Sequence, residues 1–281
     1  MNSGVYPMRK LRNGLFMTGA VAAALFGLAW LTAILWTLVA NGIGGINANL
    51  FLLETPPPPG TGGGLANAMI GSLIMIAIAV VIGTPIGILA GSYLAEYGRY
   101  GRFAAIVRTL NDILLSAPSI VVGLFVYELV VVPTGHFSAL AGALALAVIV
   151  VPVVVRTSEN MLMLIPDSQR EAAAALGAPA GLIIRNILWR AARAGVLTGL
   201  LLAVARISGE TAPLLFTALN SPFWSTDLTQ PIASLPYVIF QFALSPYEGW
   251  HNLAWAGALV VTATVLLLSA LARVLVSGDR R

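Results

Sequence analysis

From Asn13 to Leu53 the chain carries no charged side chain, and after Glu54 it carries none again from Thr55 to Ala95. Stretches of this length cannot be coated for water. Of the 281 residues, 58% are hydrophobic and only 9% charged, with a mean hydropathy of +0.90. Such a balance belongs to an integral membrane protein, here all-α and polytopic with a single domain over 1–281. There is no cysteine, hence no disulfide and no thiolate metal site.

A spanning helix needs about 20 mainly apolar residues. Six segments qualify, near 15–40, 66–92, 113–132, 138–157, 194–219 and 252–276. The first follows Arg9, Lys10 and Arg12, as a signal peptide would, but its apolar run is too long and lacks a small-residue cleavage site. It is expected to be an uncleaved anchor. The cations fall on one side of this six-span scheme. Arg99, Arg102 and Arg108 separate spans two and three; Arg156, Arg170, Arg185, Arg190 and Arg193 lie between four and five; Arg273, Arg280 and Arg281 close the chain. The alternate loops (41–65, 133–137 and 220–251) hold no Lys or Arg, but do hold Glu54, Asp227 and Glu248. The positive-inside rule then puts both termini in the cytoplasm. The formal charge of +4 reflects this topology and not nucleic-acid binding.

Of the outer loops, TPPPPGTGGG (55–64) is expected to be a connector without a core of its own, a stiff Pro run followed by flexible Gly. The aromatic, Pro-punctuated segment 221–252 is expected to pack as short helices at the outer interface, either as a cap or as a docking surface.

Between spans four and five lies a hydrophilic elbow, SQREAAAALGAPAGLIIRNILWRAAR (168–193). Ser168 and Glu171 have the spacing of a capping box, Ala172 to Ala175 favour helix, Gly177 suits the left-handed turn that ends one, and Pro179 discourages continuation. The spacing predicts a helix of about nine residues, roughly 13 Å long and too short to span. A second helix is predicted from Ala180, with Leu182, Ile183, Ile187 and Leu188 as its apolar face against Arg185, Arg190 and Arg193. Periodicity alone equally allows an amphipathic loop on the inner leaflet. The string REAAAALGA resembles the EAA loop of ABC importer permeases, with Glu171, Ala172, Ala173 and Gly177 at the matching positions. That resemblance implies a short coupling helix seated in a groove of an ATPase subunit. The chain departs from the usual Leu-Pro ending, reading Leu188-Trp189 instead.

Arg206 stands about twelve residues into the predicted fifth span, some 18 Å deep. A central Arg costs about 2.5–3.5 kcal/mol on insertion scales, so it must face protein or water. Glu210 follows at i+4. Two alternatives stand side by side: an internal neutralised pair, or a guanidinium fork presented to an oxyanion with Glu210 orienting it. Arg156, at the inner end of span four, either snorkels to the interface or lines the inner mouth of a pathway, and Glu159 is placed to pair with it. Pro118, flanked by Ser116 and Ser119, is expected to kink span three, and Glu128 to be interfacial. There is no GxxxxGK[ST], HExxH or GxSxG, and only His136 and His251 among histidines. Neither ATP binding by a P-loop nor hydrolytic chemistry is expected.

The likeness extends beyond the elbow. Residues 63–98, with a Gly-Thr-Pro-Ile-Gly turn and a Tyr-Leu-Ala-Glu-Tyr exit, resemble phosphate-importer permeases, and GETAPLLFTA (209–218) is similar to their A-type subunit. The likeness covers roughly 63–219. It implies an importer-like core of about 63–276 preceded by a first span and an outer loop (1–62). It also implies a bacterial inner-membrane location and phosphate as cargo. The implied partners are a second, C-type permease (PstC-like), a dimer of an ATP-binding subunit (PstB-like) and an extracytoplasmic phosphate-binding protein (PstS-like). Arg206, Glu210 and Arg156 would line the pathway, and Glu171, Ala172, Ala173 and Gly177 would couple it to the ATPase. No cofactor is expected. The alternatives are a permease for another oxyanion (sulfate, molybdate or phosphonate) or a secondary transporter.

Overall fold

The computed structural model describes residues 5–60 and 62–278, with side chains from Met8 to Val274. Thr61 of the Pro/Gly connector and the terminal Arg280 and Arg281 lie outside the described residues. All regular structure among the described residues is helical. The helices are α1 (Val5–Gly42), α2 (Ala48–Leu52), α3 (Ala66–Tyr97), α4 (Arg102–Ser116), α5 (Ser119–Thr134), α6 (Ala139–Met163), α7 (Asp167–Ala175), α8 (Ala180–Ile207), α9 (Ala212–Thr217), α10 (Leu235–Ala243) and α11 (Glu248–Gly278). Five of them, α1, α3, α6, α8 and α11, are long and apolar enough to cross a membrane.

The centre of the fold is α6, an alanine- and valine-rich helix buried on most sides, as expected of a helix apolar all round. Its principal neighbour is α3. Gly83, Gly87 and Gly91 fall one turn apart on α3 and press against Val150, Val154 and Ser158 of α6. A Cβ on Gly87 would lie 2.6 Å from the Val154 Cβ, and one on Gly91 2.7 Å from the Ser158 Cβ. Small residues at this spacing let two helices approach backbone to backbone, the usual device of association in lipid. The residue order of these contacts makes α3 and α6 parallel. Contacts of Gly195 with Met161 and Gly199 with Thr157 make α8 antiparallel to α6.

The Gly-Thr-Pro-Ile-Gly segment is therefore not a turn. Helix α3 runs through it, with Pro85 on the exposed side. Its glycines serve close packing, and a helix surrounded by lipid cannot abandon its backbone hydrogen bonds to water.

The predicted third span straddles a sharp corner. Ala117 takes the extended conformation that a following proline favours, and α4 and α5 meet there at 105°. The kink at Pro118 is borne out, but residues 113–132 do not form one continuous helix. The predicted fifth span (194–219) is also redrawn. Helix α8 begins at Ala180, passes through a wide π-turn at Ile183–Leu188 and stops at Ile207. Gly209 and Pro213 flank the break, Pro213 lying in the first turn of α9, where its missing N–H costs nothing. Across the π-turn the buried positions step by five, from Ile183 to Leu188, and then by four to Ala192 and Val196. Leu182, predicted on the apolar face, is left exposed.

At the end of the bundle away from α7, a second core gathers Leu50, Leu65, Val238, Phe242 and Ala256. The connector 55–64 is not structureless. Thr55 and Asn67 exchange hydrogen bonds, the Asn67 amide also donates to the Pro222 carbonyl, and the Trp250 indole donates to the Pro56 carbonyl at 3.1 Å. Trp250 stacks on Phe242 with ring centroids 4.6 Å apart. Within 221–252 helix is confined to α10 and the start of α11.

Candidate functional site

Three groups of charged side chains interrupt this apolar bundle, one at the α8–α9 break, one around Glu159 of α6 and one at the elbow. At the break, Arg206 occupies the last turn of α8 with Glu210 just beyond it, Nε to Oε1 3.9 Å, a loose pair. The Arg206 side chain is 45% exposed and that of Glu210 17%. Arg206 thus sits at a helix end and not in the middle of a continuous span, with its side chain partly exposed. The same break places Ser208 against Ser72 and Ile76 of α3, beside a cavity of about 180 Å³.

Arg156, near the end of α6, is also 45% exposed and reaches Glu159 Oε2 only at 3.8 Å. Glu159 is almost fully buried, and its closer partner comes from α4: Arg108 Nε lies 2.5 Å from Oε1, while Arg108 Nη2 donates to the Leu94 carbonyl at 2.9 Å. The expected Arg156–Glu159 pair is present as the weaker half of a cluster that ties together α3, α4 and α6. No ion pair among the described residues joins this cluster to Arg206.

The elbow has the predicted outline. Helix α7 ends in a Schellman motif, Gly177 at φ 79°, with the Ala178 N–H donating to the Ala173 carbonyl and the Gly177 N–H to that of Ala174. Its start differs: the cap position is Pro166, no side chain caps the helix, and Ser168 lies inside the first turn, so the Ser168–Glu171 capping box does not form. Asp167 supplies the negative charge that a helix start favours. Of the four residues matched to the EAA pattern, Glu171, Ala172 and Gly177 are exposed, and only Ala173 turns inward, against the core of Leu162, Ile165, Ile183 and Leu188.

Two ion pairs here were not expected from the sequence. Arg170 grips Glu96 from the exit of α3, Nη2 to Oε1 at 2.7 Å, and Arg99 reaches Asp167 at 2.9 Å. The Arg99 hydrogen bond holds the Asp167 carboxyl below the usual carboxylate range, and the same bond raises Arg99. The available signal was acidic: Glu96 and Glu159 stand at the cation-rich ends of apolar helices, where each needs a partner.

Three comparisons set this geometry in context. Residues 83–280 match the family model described as "Binding-protein-dependent transport system inner membrane component". The chain is 56% identical to the "Phosphate transport system permease protein PstA" of Pasteurella multocida over 98% of both chains. It is 58% identical to that of Yersinia pestis, over 95% of this chain and 90% of the relative. The relative named PstA 1 in Mycobacterium tuberculosis is 35% identical over 97% of this chain and 91% of its own. Among solved structures, the fold is similar to the MetNI methionine ABC transporter in an inward-facing conformation (TM-score 0.53, 22% identity, 76% of this chain and 90% of that one). It is also similar to an amino acid ABC transporter with histidines (TM-score 0.55, 17% identity, 74% and 90%). The chain belongs to the binding-protein-dependent transport system inner-membrane components and, within them, to the PstA permeases, non-catalytic membrane subunits of ABC transporters.

Proposed function

We propose that this chain forms half of the transmembrane pathway of an ATP-driven importer of inorganic phosphate. It would be coupled to a separate ATPase through α7. The observation that carries this reading is end-to-end identity with phosphate permeases, 56% over 98% of both chains, in a chain whose α7 leaves Glu171 and Ala172 facing outward. The partners are a PstC-like permease, a PstB-like ATPase dimer seated on α7 and a PstS-like phosphate-binding protein at the opposite end.

Parallel packing of α3 and α6 supports six crossings in the bacterial inner membrane. The chain must return between them, and the bent pair α4–α5 is what lies between. With α1 and α11 added, both termini share the cytoplasmic side with α7, where the cations gather.

Arg206, Glu210 and Arg156 line the pathway. An arginine side chain 45% exposed on a membrane chain is costly against lipid, so Arg206 faces a partner permease or an aqueous passage between the two. Arg156, equally exposed and nearer the α7 end, opens onto the inner mouth of that passage. A loosely held Arg206 keeps its fork available to a phosphate oxyanion, and Glu210 limits how tightly the anion is retained.

The test is ATP-dependent phosphate uptake by proteoliposomes holding this chain with its partners, with sulfate and molybdate as competitors. Phosphate-selective uptake that requires the ATPase is expected. Inhibition by sulfate or molybdate would keep the importer and move its cargo to another oxyanion.

A further inference from the structure

Arg170 makes five hydrogen bonds, as many as a guanidinium has N–H donors. Nε and Nη2 grip the Glu96 carboxylate (3.2 and 2.7 Å), Nη2 also reaches the Leu162 carbonyl (2.9 Å), and Nη1 reaches the Ile165 carbonyl (2.6 Å) and Asp167 Oδ1 (3.2 Å). These acceptors belong to three different pieces: the exit of α3, the end of α6 with the residues that follow it, and the first turn of α7. The clamp is sheltered, with Arg170 only 16% and Glu96 11% exposed, so solvent screens it weakly. Arg99, just past α3, braces the same corner through Asp167.

We infer that Arg170 is a positioning residue that locks the elbow to α3 and α6, so that a force applied to α7 moves the α3–α6 pair as one body. This rests on the coupling role of α7 proposed above. Apart from the more exposed Arg99–Asp167 bridge, little else would transmit such a force. The buried contact of α7 itself is one methyl group, that of Ala173. Without the clamp, α7 would be tied only to the end of α3 through Arg99, and a push on it would flex the Leu164–Pro166 link and leave α6 where it is. With it, displacement passes to α6 and to α3 together, and these two cannot slide past each other because Gly83, Gly87 and Gly91 are keyed against Val150, Val154 and Ser158. The geometry is specific to arginine. A lysine ammonium keeps the charge but, as a compact point with three donors, cannot hold a carboxylate fork and two carbonyls at once.

The experiment uses the complete transporter in proteoliposomes and reads phosphate imported per ATP hydrolysed, normalised to assembled complex. In Arg170→Gln and Arg170→Lys this ratio should fall by about tenfold, through loss of several charge-assisted bonds, while ATP hydrolysis persists. Glu96→Gln should fall less, and the Glu96→Gln/Arg170→Gln double variant no further than Arg170→Gln alone. A purely structural role would reduce the amount of assembled complex and leave the ratio unchanged. Unchanged ratios in both Arg170 variants overturn the proposal.

Because the chain has no cysteine, spin labels on Ala175→Cys and Tyr100→Cys give a readout independent of cargo. One narrow distance distribution, with and without trapped nucleotide, is expected on the native Arg170 background, and a broad one with Arg170→Lys. An equally narrow distribution in Arg170→Lys overturns the lock. Glu171→Lys in the same uptake assay separates the two ideas. If it transports with a normal ratio, the coupling role of α7 falls and the lock with it. If it uncouples while Arg170→Lys does not, the lock alone is refuted.

Discussion

The Arg108 guanidinium of α4 closes on the Glu159 carboxylate of α6 at 2.5 Å, and Glu159 is 3% exposed. A carboxylate so placed is tolerated only because it is paired: removal of the partner strands a charge in a medium that cannot solvate it. Breaking a buried pair costs about 3–5 kcal/mol, and the partial exposure of Arg108 lowers this to roughly 2 kcal/mol. Arg108→Met should therefore lower the melting temperature of the detergent-solubilised protein distinctly more than Arg156→Met does, because Arg156 sits 3.8 Å away and is half exposed. Equal losses in the two variants would show that Arg108 is not the dominant partner.

The α3–α6 seam makes a second prediction. Gly87→Ala would place a Cβ 2.6 Å from that of Val154, and overpacking of this kind costs about 1–3 kcal/mol. Gly181→Ala, where nothing lies within 4 Å of the new Cβ, should be neutral or stabilising by up to about 1 kcal/mol. Thermal unfolding of the two variants side by side decides it; a Gly87→Ala protein as stable as Gly181→Ala would mean that the helices are not keyed together at this point.

Transport should depend on Arg206 more than stability does. Its pair with Glu210 is long and its side chain largely free, so Arg206→Gln should change stability by less than about 1 kcal/mol while abolishing phosphate uptake by an assembled complex. Wild-type uptake by that variant would reduce Arg206 to a structural member of the pair.

The pH response of the elbow follows from Asp167. Its folded carboxyl titrates below the ordinary value because of the Arg99 hydrogen bond. A depressed folded value means a contribution fully present above the unfolded carboxylate range, about 4, and lost as pH falls through the folded value. Between pH 5 and 8 amide exchange protection of Asp167–Ala175, corrected for intrinsic rate, should be flat, and Asp167→Asn should reduce it at every pH in that window. A sigmoidal loss of protection near neutrality would point to another group.

Much of this architecture was legible in the sequence. The cost of placing a charge in lipid is paid residue by residue, so uncharged runs located the apolar helices and the one-sided cations marked the α7 end. The end of α7 was legible too, because Gly177 answers a local backbone demand. What the sequence could not decide was anything set by contact between distant residues. The break after Ile207, the 105° sharpness of the foreseen kink at Pro118 and the continuity of α3 through Pro85 depend on what packs against each helix. Partner choice is the plainest case. Several arginines stand near the same end, and Glu96 and Arg170 lie 74 residues apart, so only the parallel docking of α3 on α6 decides which fork meets which carboxylate.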